Sequence, residues 1–177
     1  AAISSLITSP DGAFLLAARV DGVVSVLDAV KGTPLREWKA HEGAVLAASF
    51  SPRASTLTTS GTDRTLRTWK FADGQPLGSL TIGPEPATHL ATNLDGARIV
   101  TGDNAGWLRA WKLPLESRRD LPGHAGSVIE IVRSQGTLIS RGSDNTIHIH
   151  ELSSGKELRT IPLNAAARDL ALSPAEA

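Results

Sequence analysis

Cysteine and methionine are both absent from the 177-residue chain. Without cysteine there is no disulfide, no thiolate zinc site, no cysteine nucleophile and no cysteine-attached haem. The redox compartment stays open. Without methionine even at position 1, the polypeptide is expected to be processed, trimmed from a longer one or cleaved from a tag. Ala1–Thr8 has no basic region and no sustained apolar stretch, so no signal peptide is expected there. No targeting motif is present, which leaves the cytoplasm as the default guess. No apolar run approaches the ~20 residues a membrane helix needs. The longest, Ala13–Val20, is short and carries Arg19. An excess of charge is missing too: 18 Lys and Arg balance 18 Asp and Glu. Such a surface has no electrostatic footprint for nucleic acid and no basic patch for anionic lipid, so neither partner is expected. What remains is ordinary globular composition, which argues against disorder.

The strongest positive signal is a repeat. Ser9-Pro10 recurs as Ser51-Pro52, weakly as Asn93-Leu94, then as Ser134 and Ser173-Pro174, at steps of 42, 42, 41 and 39. Two further columns, Asp21, Asp63, Ala105, Asp144 and Leu27, Trp69, Trp111, His150, keep steps of 42, 42 and 39. Each unit reads as four short strands; in unit two they are Val45–Phe50, Ser55–Thr59, Thr65–Phe71 and Leu77–Ile82. Turn pairs such as Asp11-Gly12, Asp73-Gly74 and Ser154-Gly155 separate them. Long stripes of 3.6-residue period are missing, so helices should be scarce. A four-stranded unit of about 41 residues cannot bury both faces alone. Radial stacking of neighbours buries them, which predicts an all-β propeller of four-stranded antiparallel blades. The blades run near 1–40, 41–82, 83–123 and 124–163, and 164–177 holds the first strand of another, at Ala167–Leu172.

The columns resemble the WD-repeat β-propeller family. Unit two supplies His41, Ser51-Pro52, Thr59, Asp63 and Trp69-Lys70; unit four supplies Gly123-His124, Ser140, Asp144 and His150-Glu151. Unit one supplies Ser9-Pro10-Asp11-Gly12, Asp21 and Leu27-Asp28, and unit three Asp95-Gly96, Thr101 and Trp111-Lys112. The departures are Leu27 and His150 for tryptophan, Ala105 for aspartate and Gly83 for histidine. His41, Thr59 and Asp63, like His124, Ser140 and Asp144, have the residue types of a nucleophilic triad. They recur in two units at near-constant offsets, whereas a catalytic site is built once. The resemblance implies instead a hydrogen-bond relay inside each blade, completed by Trp69 in unit two and His150 in unit four. It also implies a partner-binding rim, on which Arg19, Thr62, Arg64, Asp103, Asn104, Arg141 and Ser143 are expected. Trp107 opens the third strand of its unit near that rim and is a candidate anchor; Trp38 lies in an outer strand.

Other chemistry is weakly supported. His148 and His150 share a strand face, yet the sequence offers no third ligand at strand spacing, so no metal is expected. Gly61 and Gly102 lack any phosphate-loop context and read as turn glycines. The inner strands offer Ser4, Ser5, Ala47, Thr88, His89 and Glu130 to a central channel, a poor set for acid–base work. The expectation is a non-enzymatic scaffold for protein or peptide partners, without cofactors. Propellers have roughly four to eight blades, and the resemblance implies wedges cut for rings of about seven or eight. Four make about half a ring, and the exposed flanks require a cover. Either further blades complete the ring, or two copies assemble into one of eight.

Overall fold

In the computed structural model, the described residues are 1–164 apart from 52, 54, 94, 95, 114, 116 and 135, without the side chains of 117–119 and 134. The expected strand at Ala167–Leu172 lies outside them, as do Pro52, Leu94 and Asp95 of the turn columns.

Among the described residues, sixteen strands form four separate antiparallel sheets in chain order. The first holds β1 (Ile3–Thr8), β2 (Phe14–Arg19), β3 (Val23–Asp28) and β4 (Pro34–Lys39). The second holds β5 (Val45–Phe50), β6 (Thr56–Gly61), β7 (Thr65–Lys70) and β8 (Pro76–Thr81). The third holds β9 (Ala87–Thr92), β10 (Arg98–Asp103), β11 (Leu108–Lys112) and β12 (Ser117–Leu121). The fourth holds β13 (Val128–Ser134), β14 (Thr137–Gly142), β15 (Thr146–Glu151) and β16 (Glu157–Pro162). No helix occurs among the described residues.

Turn chemistry sets the hairpins. Ser9 Oγ accepts the Phe14 amide at 2.9 Å, and Ser51 Oγ accepts the Thr56 amide at 3.0 Å. Asn93 does the same job in the third sheet, its Oδ1 accepting the Arg98 amide at 2.8 Å. A short side-chain acceptor is all this turn needs, which is why the Ser column tolerates Asn.

The sheets are blades. Their first strands stand side by side, β1 by β5, β5 by β9 and β9 by β13. Middle strands such as β6 are buried on both faces, whereas the outer β4 and β8 alternate exposed and half-buried. Position in the stack, not sequence alternation, decides this pattern. Three apolar seams fill the gaps. Leu16, Val24, Val26, Phe50, Leu57 and Trp69 lie between blades one and two. Leu66, Ile82, Ala87 and Trp111 lie between two and three. Val100, Leu108, Val128 and Leu138 lie between three and four. Each fully buried leucine contributes about 1.5–3 kcal/mol. Side chains also cross the seams to opposing carbonyls: Ser60 to Ala87 at 2.7 Å, Ser4 to Val45 at 2.5 Å and Arg133 to Thr92 at 2.5 Å.

The four blades do not close into a ring. At one end, blade one turns Leu6, Leu15 and Leu27 away from blade two, with Leu6 59% exposed. At the other, Ile139, Ile147 and Ile149 lie half-buried on the face of blade four away from blade three.

Candidate functional site

Blade two contains a complete relay. Asp63 opens the β6–β7 turn and accepts the Thr65 amide at 3.1 Å and the Thr65 hydroxyl at 2.8 Å. His41, fully buried, meets Asp63 through Nδ1 at 2.9 Å and Thr59 through Nε2 at 2.8 Å. With its Nδ1 proton facing the carboxylate, the imidazole accepts from Thr59, whose oxygen accepts the Trp69 indole N–H at 2.9 Å. Burial places His41 below the ordinary histidine value, and the hydrogen bond and charge of Asp63 pull the other way without restoring it. Burial opposes ionisation of Asp63, but the bonds from Thr65 and His41 hold its carboxyl below the usual range. A neutral, fully hydrogen-bonded serine-type triad locked in a seam has no exposed hydroxyl to attack a substrate. It fastens β6 and β7 to the loop that enters the blade before β5.

Gly61 belongs to this arrangement and is not a turn glycine. It ends β6, where a Cβ would stand 2.5 Å from the His41 ring, and Gly142 seats His124 in the same way at 2.4 Å. Gly102, one residue before the end of β10, likewise lies in a strand, where a Cβ would stand 2.6 Å from Val128.

The other blades vary the theme. In blade four, His124 reaches Ser140 at 2.9 Å and Asp144 at 3.2 Å. Burial opposes ionisation of Asp144, yet bonds from Thr146 and the Ala125 amide bring its carboxyl down to about 2. His150 was expected to complete this relay; instead it makes no hydrogen bond to Ser140, and the ring packed on His124 is His148, at 4.3 Å. An imidazole is too short to reach the serine from the tryptophan position. In blade three, Trp111 donates to Thr101 at 3.0 Å, but the histidine position of the relay holds Gly83. Arg109 fills that space, its Nη2 3.9 Å from where a Cβ of Gly83 would stand, and pairs with Asp103. Asp103 also accepts the Ala105 and Trp107 amides, both at 3.0 Å. Its aspartate role is thus filled two positions before Ala105. Blade one has Ala17 in place of the hydroxyl and carries no relay. A carboxylate two residues early was the one signal that would have revealed Asp103.

Two residues expected on the rim are instead buried: Asp103 is fully buried, and Arg141 is 6% exposed and paired with Glu130 at 3.2 Å. Arg19 is half-buried between Asp21 at 2.6 Å and Glu37 at 3.3 Å. Thr62, Arg64, Asn104 and Ser143 are exposed in the turns between the second and third strands. Trp107 is 50% exposed, with the Arg109 guanidinium 5.4 Å from its ring centre. It borders an open cleft of about 290 Å³ lined by Ala105, Gly106, Gly123, His124 and Ala125. The sequence columns gave no sign of this cleft, which forms where the loop before β13 passes the turn before β11. Trp38, by contrast, packs 6.0 Å from Trp69 in the first seam.

The fold also supplies what strand spacing withheld. Glu157 pairs with His150 across β15 and β16, and its Oε1 lies 3.6 Å from His148 Nδ1. A third potential ligand is therefore present beside the two histidines.

The buried imidazole has a pH consequence. His41 and His89 both take up protons less readily folded than unfolded. Stability is therefore full above their ordinary value of 6.5 and falls as pH drops through the lower folded values. A further loss follows below 3.8, where the unfolded chain binds the proton that Asp63 refuses. Urea midpoints measured from neutral pH downward should decline along this path. A midpoint that stays flat through the histidine range would contradict a buried neutral His41.

A family model described as "WD domain, G-beta repeat" matches residues 32–70. The chain is 28% identical over 140 residues to rat (Rattus norvegicus) "Apoptotic protease-activating factor 1", covering 72% of the chain and 11% of that protein. It is 27% identical over 164 residues to "WD repeat-containing protein 91 homolog" of Dictyostelium discoideum, covering 86% and 21%. It is 33% identical over 138 residues to "WD repeat-containing protein 81" of Danio rerio, covering 78% and 6%. The chain thus spans about a fifth or less of these relatives.

Proposed function

We propose, from the premise that this chain is a run of WD repeats, that it is a non-enzymatic scaffold that binds a protein or peptide through one rim. The observation that carries the reading is Trp107. Trp69 and Trp111 are buried and Trp38 is partly buried in a seam, whereas Trp107 stands half in solvent beside an open cleft. A large aromatic ring held rigidly by an arginine loses little entropy when it docks. Exposed Asn104, Thr62, Arg64 and Ser143 lie on the same set of turns and supply polar contacts around that anchor. The turns are tied down by Asp63, Asp103 and Asp144, so binding needs little backbone change. Balanced charge favours a protein partner over nucleic acid. The uncovered flanks are completed by further blades or by a second copy.

The test is selection of peptides from a displayed random library, followed by titration against Trp107→Ala. The variant should fold as the parent does and bind the selected peptides about 30-fold more weakly, the loss typical of an interface anchor. Selected peptides that bind the variant as well as the parent would remove Trp107, and with it this rim, from the reading.

A further inference from the structure

Three positions change together in blade four. His148 stands where blades two and three carry Arg67 and Arg109. His150 stands in the column of Leu27, Trp69 and Trp111. Glu157 opposes His150 at a register shift, as Pro34 opposes Leu27 and Pro76 opposes Trp69. Two apolar positions and an arginine have thus become two imidazoles and a carboxylate at one place in one blade.

As they stand, these groups are poorly satisfied. His150 is fully buried and neither ring nitrogen has a hydrogen bond of normal geometry, although the Pro122 backbone lies beside the ring; His148 Nδ1 is buried with no hydrogen bond, Glu157 Oε1 standing 3.6 Å away. Buried polar atoms left this way destabilise the fold until something meets them. The ligating atoms of His148, His150 and Glu157 all lie within 4.8 Å of one another. His124 and Asp144 also come within reach of His148, but they are engaged with Ser140, Thr146 and the Ala125 amide.

We propose that His148, His150 and Glu157 form a binding site for a divalent transition metal ion, zinc foremost. Two imidazoles and one carboxylate are a donor set that borderline cations take, with bonds of about 2.0–2.2 Å. Such bonds hold neighbouring ligand atoms about 3–4 Å apart, so small side-chain rotations close the observed spacing. The spacing of two along β15 puts both histidines on one face. Thr160 donates to Glu157, and the edge-to-face His124 ring packs against His148, so two of the three ligands are already oriented. Glu157, 30% exposed, gives the ion a path from solvent. The bound ion would clamp β15 to β16 in a blade that has no tryptophan bond to its own relay.

Isothermal titration of the untagged chain with zinc chloride tests this. One ion per chain should bind saturably, and the melting temperature should rise until a chelator is added. His148→Gln and Glu157→Gln should each weaken binding by more than about tenfold, while His89→Gln binds as the parent does. Glu157 lies near the surface, so its variant keeps the test readable even where His148→Gln misfolds. Absence of saturable binding, or a folded Glu157→Gln that binds zinc as tightly as the parent, would overturn the site.

Discussion

Trp69→Ala should lower the unfolding free energy by about 3–5 kcal/mol, the range for deleting a buried large aromatic. The ring is 5% exposed, packs 6.0 Å from Trp38 and belongs to the largest of the apolar seams. Its loss opens a cavity between two sheets whose backbones are fixed by their own ladders, so the gap closes only partly. It also strips Thr59 of the indole N–H, and Thr59 is fully buried. Trp69→Phe separates the two contributions. It keeps most of the packing and removes the bond, so about 1–2 kcal/mol should be lost. Urea unfolding of the three proteins, with slopes compared for two-state behaviour, reads both values. An alanine variant within about 1 kcal/mol of the parent would mean that the first seam is not the core described above.

Gly106→Ala should be nearly as damaging, for a different reason. Gly106 has a φ of 85°, in the left-handed region that side chains avoid. A Cβ there would stand 2.1 Å from the His124 carbonyl oxygen and 2.5 Å from that of Gly126. Both obstacles are backbone, and the Gly106 carbonyl itself accepts the His124 amide at 3.0 Å. The strain and the overpacking each cost about 1–3 kcal/mol. The loop must retreat, and it lines the cleft beside Trp107, so peptide binding should fall along with stability. Gly12→Ala is the natural comparison: its φ is 70°, yet nothing lies within 4 Å of the added carbon. That variant should lose only about 1–2 kcal/mol, and its rim should be unaffected. Equal losses in the two variants would show that conformation alone, not the close approach, governs Gly106.

Much of this architecture could be read from residue columns because a repeat states its pattern several times. Ser9, Ser51 and Asn93 mark one turn; Asp21, Asp63 and Asp144 mark another; and the blade-two relay follows from His41, Thr59, Asp63 and Trp69 at the positions expected. What escaped the columns was compensation between them. Gly83 vacates the histidine space, Arg109 enters it, and Asp103 moves into the aspartate role because a carboxylate from either position reaches the same turn amide, that of Thr65 in blade two and Trp107 in blade three. A column examined alone reports only that Ala105 breaks the pattern. Arg141 escaped for another reason: a charge near a turn can fold back on a neighbouring strand, here towards Glu130. Glu157 was invisible at strand spacing because the register shift between Ile149 and His150 brings it opposite the ring. The cleft at Trp107 depends on how two loops pass, which no periodicity records.

The separation of the sheets has a mechanical consequence. Within a blade every strand is laddered to the next, so each plate is stiff; among the described residues no backbone ladder runs between blades, and the join is made of side chains. Such a body bends at its joints before it bends in its plates. Thermal flexing, or a load applied by a bound molecule, should open or close the angle between neighbouring plates. The groove beside Trp107 straddles one of those joints, so its width would breathe with that angle.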